Sequence, residues 1–555
     1  AKTAGHPEFG HLSGIDMTTG PLGQGISSAV GMALAERVIN AKFGDLLCNH
    51  YTYAICGDGC LMEGISEEAI SLAGLWKLNK LIVFWDNNNI TIDGTVDKAS
   101  CTDQIARFKA VGWNTISING HDYAQIETAI ETAQKSDKPT LIACKTTIGF
   151  GAPSKQGTSK VHGAPLGADE LAMMKQNLGW TAAPFEVPVD AMAAWRAAGQ
   201  KAAARYEQWE QLAGQNAEFL KYINNELPQN WDKALNELKK QTIKEQTKVA
   251  TRKASQMCLN DLVRFVPQMI GGSADLAASN LTFADGMKTI TATDYNGNNI
   301  MYGIREHAMG AILNGLALHG GVIPSGGTFF VFSDYLRPSM RLAALMGLRV
   351  IYVLTHDSIG VGEDGPTHQP IEHLASYRAM PNINVFRPCD VVETAEAWQL
   401  AVLNEKTPSI LALSRQNVPT LRETADENKT AKGGYIISAA QGVIKATLIA
   451  TGTEVSLAVD AQKQLRNLGI EVNVVSMPCC ELFDQQPEEY RRAVLGSVPR
   501  IAIEAGSTFG WHKYVGDNGA VLGIDSFGAS GKGDEVYAHF GLTVENVVKT
   551  VQKFI

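Results

Sequence analysis

Apolar residues along this chain collect into short runs that stop at glycine- or asparagine-rich turns and alternate with stretches of helical spacing. Residues 52–56 read as a short strand halting at Gly57-Asp58-Gly59, and residues 67–78 carry apolar positions at helical spacing. Residues 81–85 are apolar throughout and lead into Asp86-Asn87-Asn88-Asn89. Strand, turn, helix and strand in that order form a βαβ unit, which predicts a parallel sheet with helices on both faces. A further helix is predicted over 26–41. From about 181 to 250 the pattern changes: Ala, Gln, Glu and Lys dominate around Trp195, Tyr206 and Trp209, as in a helical connector exposed on much of its surface. A second α/β region begins near Thr251, with strands predicted at 350–355, 384–386 and 410–413. A third begins near Gly433, with strands at 447–450 and 471–476 around a helix at 454–467, and residues 500–504 continuing the sheet. The fold class is therefore α/β, three successive domains with mainly parallel sheets. Their boundaries are placed at 1–217, connector included, then 218–432 and 433–555.

Length agrees, since 555 residues exceed a single core at a prior of one domain per ~150 residues. The balance of 48 basic against 57 acidic residues gives a net charge of −9. That argues against nucleic acid, which needs a basic face, but not against small anions held by a few focused Arg, His and N–H groups. The nine cysteines show no C-x-x-C pair and read as reduced thiols of a cytoplasmic protein. No apolar run reaches the ~18 residues of a membrane span. No signal peptide is visible. The chain opens on Ala-Lys-Thr rather than Met, which suggests that a segment before Ala1 is missing.

Asp58 falls where a strand ends and a glycine-flanked turn feeds a helix, the usual place for ligands in open α/β sheets. The next strand ends at Asn88, and carboxyl ends of adjacent parallel strands lie side by side. A carboxylate and an amide oxygen, with the Ile90 carbonyl, form a hard oxygen set suited to Mg²⁺ or Ca²⁺. As a dinucleotide fingerprint the glycines fail, because Gly57, Gly59 and Gly64 do not give G-x-G-x-x-G.

G-D-G followed at this distance by N-N is similar to the diphosphate- and metal-binding signature of thiamine-diphosphate enzymes. Further segments resemble the transketolase family: residues 5–8 with His6-Pro7, 20–25 (GPLGQG), 162–167 (HGAPLG), 303–309 (GIREHAM), 355–370 (THDSIGVGEDGPTHQP) and 414–417 (SRQN). The resemblance keeps its order into the last domain and implies the thiamine-diphosphate-binding fold twice, followed by a C-terminal α/β domain. It implies thiamine diphosphate with Mg²⁺ (Ca²⁺ or Mn²⁺ as alternatives), the metal held by Asp58, Asn88 and Ile90. Gly20, Leu22, Gly57, Gly59, Glu63, His162 and Asp275 would complete the cofactor site. Glu306 would hydrogen-bond the aminopyrimidine ring, a task needing a carboxyl that holds a proton near neutrality. Phe329, Phe332 and Tyr335 would stack on that ring. Arg252, Ser279, His356 and Arg415 would bind the phosphate end of the substrate. His6, His162 and His368 would surround the carbonyl and hydroxyls, with Asp364 reading a sugar hydroxyl.

The implied activity is reversible transfer of a two-carbon ketol unit from a ketose phosphate to an aldose phosphate, through a cofactor carbanion and with ping-pong kinetics. In the family the cofactor lies between two subunits, so a homodimer is implied. Family members carry an additional stretch before the segment matching His6, with a His-Gly motif and a second His. Neither is found here, and Asn119-Gly120-His121 is not assigned that role. Sister enzymes such as a dihydroxyacetone synthase, or an inactive, partner-dependent fragment, are the alternatives. A deoxyxylulose-phosphate synthase is disfavoured by the intact segments at 355–370 and 414–417 and by His162. The third domain carries no chemical motif and reads as structural or dimer-supporting.

Overall fold

The computed structural model describes residues 3–555. They form two compact units. The first runs to Glu226 and takes in the segments Thr291–Asn296 and Leu318–Gly321; the second holds the remainder.

The first unit is built on a four-stranded parallel sheet in the order Thr52–Gly57, Leu81–Asn87, Thr140–Lys145, Asn114–Asn119. The predicted βαβ unit is present, with the helix at Gly64–Leu75. It starts three residues earlier than expected because Glu63 adopts extended backbone and turns the chain into it. The register sets Gly57 opposite Asp86, so the loops carrying Asp58 and Asn88 leave the same end of neighbouring strands. The long helix Gln24–Phe43 is buried along most of its length. The connector is helical as predicted, and Val189–Gly214 buries only Ala213.

The second unit contains two sheets. The first has six parallel strands in the order Asn384–Phe386, Ser409–Leu413, Ile351–Thr355, Ile323–Phe329, Met269–Ser273, Asn299–Met301. The strands Ile351–Thr355 and Ser409–Leu413 are fully buried, which is why they read as apolar runs without alternation. The other sheet runs Tyr435–Ser438, Glu471–Ser476, Ile444–Ala450, Arg500–Ile503, Gly519–Leu522, with only the first pair antiparallel.

These two layers are joined by buried charge. Arg387 pairs with Asp357 at 2.9 Å and with Glu454, while Arg378 makes a two-pronged bond to Glu504 at 2.8 Å on each oxygen. Thr451 and the Trp511 indole also donate to Glu504. All nine cysteines are free, and no helix among the described residues is long and apolar enough to cross a membrane.

Candidate active site

Two groups of predicted residues assemble, one in each unit. In the first unit, the Asp58 side chain is buried at the start of a short helix, Asp58–Met62. Its Oδ1 accepts from the Trp85 indole at 3.1 Å and its Oδ2 from the Asn89 N–H at 3.1 Å. Both donors are neutral. Burial raises the Asp58 pKa, and these hydrogen bonds only partly offset the effect. Asn88 turns its Oδ1 back onto the Ile90 N–H at 2.9 Å and its amide nitrogen onto Asp86. Asn89 takes a left-handed φ of 63° between them, so the loop wraps the carboxylate. A buried carboxylate met by neutral donors, next to an amide oxygen and a buried Ile90, suits a hard divalent cation. Gly57 faces open space, with nothing within 4 Å of where a Cβ would stand, which leaves room for a diphosphate.

The glycine turn at 20–25 closes on the same region. The Leu22 side chain lies over Gly59, 3.0 Å from the position of a Cβ there. Gly23 (φ +81°) lets the turn press on Glu63 and Ile65, where a Cβ would meet Ile65 at 2.5 Å. The His6 ring packs on Gly20 at 3.3 Å, again measured to a Cβ position. Thus His6, Gly20, Leu22, Gly59 and Glu63 come together around the Asp58 turn. His162 is exposed after the turn Ser159–Val161, and no hydrogen bond among the described residues ties it to Asp58.

In the second unit, Glu306 opens the helix Glu306–His319 and is buried. Burial raises its pKa, against the opposing hydrogen bonds of its own N–H and of Thr328 Oγ1 at 3.3 Å. Thr328 is next to Phe329 on one strand, so the strand that braces Glu306 also carries the first aromatic. Phe329 and Phe332 stack at 5.7 Å and 12°, and Tyr335 follows at 6.3 Å from Phe332. The strand register pairs Phe329 with Thr355, which brings His356 to 3.8 Å from the Phe329 ring. His368 meets the edge of Phe332 at 5.3 Å.

His356 is buried with a left-handed φ of 62°. Thr355 gives its hydroxyl proton to Asn280 Oδ1 at 2.6 Å, so the contact between Thr355 Oγ1 and His356 Nδ1 at 2.8 Å requires Nδ1–H to donate. The Nε2 lone pair is then free for a substrate group. Burial, followed by the positive fields of Arg252 and Arg415, lowers the His356 pKa to about 3. The same closeness of the two guanidiniums adds to the burial that lowers the Arg252 pKa. Arg252 donates to the Ser279 carbonyl and Arg415 to the Val361 carbonyl, each at 2.6 Å. Arg252, Ser279, His356 and Arg415 therefore form one cationic corner, suited to an oxyanion. Asp275 (φ +60°) and Asp364 are exposed on loops at the ends of their strands and stand apart from these contacts.

The supporting residues Trp85, Asn89, Asn280 and Thr328 were not singled out from the sequence. Trp85 reads as one more apolar residue of a strand; only the fold shows its indole N–H reaching Asp58.

Residues 1–234 match the family described as transketolase, thiamine diphosphate binding domain. Residues 247–420 match the transketolase pyrimidine binding domain, and 433–543 the transketolase-like C-terminal domain. A transketolase of Sinorhizobium medicae is 51% identical over 553 residues, covering 99% of this chain and 80% of that protein. One from Cereibacter sphaeroides is 51% identical over 564 residues, covering 100% of this chain and 85% of that protein. Among solved structures, transketolase from Leishmania mexicana superposes with a TM-score of 0.94 at 43% identity, covering 100% of this chain and 83% of its own. A Pichia stipitis transketolase in complex with sedoheptulose 7-phosphate gives 0.94 at 44% identity, covering 100% and 84%. Three matched domains in order, with relatives 51% identical over the length of the chain, place the chain in the transketolase family.

Proposed function

We propose that this chain moves two-carbon ketol units from ketose phosphates to aldose phosphates, using thiamine diphosphate and a divalent cation. The observation that carries the reading is Glu306: a buried carboxyl with a raised pKa, braced by Thr328 and adjoining the Phe329–Phe332 stack.

Thiamine diphosphate, when bound, supplies the electron sink for breaking and making the carbon–carbon bond. The chain's residues do the rest. Asp58, Asn88 and the Ile90 carbonyl hold the cation, Mg²⁺ by preference with Ca²⁺ or Mn²⁺ as substitutes. Gly20, Leu22, Gly57, Gly59, Glu63, His162 and Asp275 border the diphosphate and thiazole portions. Phe329, Phe332 and Tyr335 seat the aminopyrimidine, and Glu306 keeps a proton on its carboxyl to share with that ring. Arg252, Arg415, Ser279 and the neutral His356 receive the substrate phosphate, whose charge the two guanidiniums balance. His6, His162, His368 and Asp364 orient the sugar carbonyl and hydroxyls and move their protons.

The working form is a homodimer in the cytoplasm, with active sites at the subunit interface and domains at 1–217, 218–432 and 433–555. Calorimetric titration with thiamine diphosphate, with and without Mg²⁺, tests the cofactor assignment. Turnover of a ketose phosphate by the chain and by Glu306→Gln tests the chemistry. Cation-dependent binding with turnover lost in the variant is the expected result; equal turnover in the two proteins would refute the role of Glu306.

A further inference from the structure

Away from both groups, the first unit brings together three soft or borderline metal ligands that the proposed reaction does not use. Cys48 Sγ and ring nitrogens of His50 and His319 all lie within 4.8 Å of one another. His50 Nε2 and His319 Nε2 are 3.0 Å apart, with their rings nearly parallel at 15°. Tetrahedral Zn²⁺ at its usual bond lengths needs N–N and S–N separations of roughly 3.3 and 3.6 Å. Closing onto an ion therefore takes side-chain rotations, not a backbone rearrangement. We propose that Cys48, His50 and His319 form a site for Zn²⁺, a thiophilic ion distinct from the hard cation at Asp58.

The surroundings prepare His319 as a ligand and fix the loop that carries Cys48 and His50. His319 Nδ1 lies 3.1 Å from the Gly320 carbonyl, which can only accept, so Nδ1 carries the proton and Nε2 the lone pair. That is the arrangement of a metal-bound histidine whose second nitrogen donates to a backbone carbonyl. The loop bearing Cys48 is pinned on both sides, its N–H donating to Gly44 O at 3.1 Å and its carbonyl accepting from Asn40 at 2.6 Å. The His50 N–H donates to buried Glu36 at 3.3 Å. Glu36 also pairs with Arg37 and Lys80, so the loop is braced by an ion network and does not depend on the metal to fold.

Access and ligand type favour the same ion. All three residues line a cavity of about 860 Å³, which supplies an entry path and room for water as a fourth ligand. Thiolate and imidazole select Zn²⁺ over Mg²⁺ or Ca²⁺, whereas the oxygen set at Asp58 selects the reverse. Binding must displace the Cys48 thiol proton, which burial holds up at about 12. The thiolate–metal bond supplies that driving force.

The test uses the full chain, freed of metal and titrated with Co²⁺ alone as a spectroscopic stand-in, followed by Zn²⁺. The expected result is one thiolate-bound Co²⁺ per chain, with a thiolate-to-cobalt charge-transfer band and strong tetrahedral visible bands that Zn²⁺ bleaches. Cys48→Ser removes the charge-transfer band. His319→Gln weakens binding by more than about 100-fold, since even outer-shell changes weaken such sites roughly 10–100-fold. Asp58→Ala keeps the band, because no thiolate belongs to that site. Circular dichroism establishes that each variant is folded, and His319→Gln reads the site independently should Cys48→Ser not fold. Absence of the band from folded, unmutated chain overturns the proposal. So does a band that survives both Cys48→Ser and His319→Gln, which would belong to another thiol such as the exposed Cys101.

Discussion

Thr328 Oγ1 donates to Glu306 Oε1 at 3.3 Å, between side chains that are both buried. The contact sets the acid–base character of Glu306 from two directions. Burial pushes its pKa up, and the Thr328 hydrogen bond pulls it back by stabilising the anion. Thr328→Val removes the restraint while nearly conserving shape. The Glu306 pKa should then rise further, and the limb of the pH–rate profile that reports it should move to higher pH. Glu306→Gln should lower kcat by on the order of 10²–10⁴, the usual worth of a positioned proton-transfer group. An unmoved profile in Thr328→Val would mean that Glu306 does not govern that limb.

Asp58→Ala should abolish cation-dependent binding of thiamine diphosphate and leave the chain folded. The substitution removes two hydrogen bonds to a charged acceptor, each worth about 1.5–3 kcal/mol, but also a carboxylate whose burial costs a comparable amount. The net change in thermal stability without ligand should therefore be small, and calorimetry should find no enhancement by Mg²⁺. A cofactor affinity that still rises with Mg²⁺ would move the metal site elsewhere.

The cationic corner predicts a separation between substrates. Arg252→Leu or Arg415→Leu should raise KM for a phosphorylated ketose at least 10-fold and barely change it for the same sugar without phosphate. Each change also removes a positive neighbour of His356, so its pKa should rise from about 3 towards the ordinary imidazole range. Histidine NMR titration reads that shift directly. Equal losses on both substrates would assign the arginines a structural role.

Much of this was legible in the sequence where the signal is local. Gly57-Asp58-Gly59 marked the end of a strand, and the Gly57–Asp86 register places Asp58 beside the 86–89 loop as two adjacent parallel strands require. The strands of the last region also lie close to where their apolar runs predicted them. Two central strands of the second unit, Met269–Ser273 and Ile323–Phe329, were not predicted, because MIGGS and IPSGGTF are poor in strand-forming residues. Their glycines serve close packing instead. A Cβ at Gly327 would meet Thr282 at 2.7 Å, and one at Gly272 would meet the Tyr302 ring at 2.7 Å. Tertiary approach overrode local preference. The braces Trp85, Asn280 and Thr328 were illegible for a related reason, since each acts on a residue brought to it only by strand pairing or loop closure.

The buried network around Arg387 ties the stability of the second unit to pH through Glu504. Burial works against the Glu504 carboxylate, but Arg378, its paired hydrogen bonds and Arg387 prevail and hold the group down at about 2, from an ordinary value of 4.5. A group depressed in the folded state contributes stability that is present above its unfolded value and is lost as pH falls through its folded one. Glu504 should therefore support the second unit fully above pH 4.5 and progressively less down to about pH 2. Arg387→Met leaves Asp357 and Glu454 buried without their shared partner, which should cost about 3–5 kcal/mol. Replacing Asp357 and Glu454 by Asn and Gln in the same chain removes the two orphaned charges, so it should restore part of that loss. Denaturant unfolding of the single and triple variants at pH 7 measures both effects. A triple variant no more stable than Arg387→Met would show that Arg387 acts through packing, because only uncompensated charge would be relieved by the added amides.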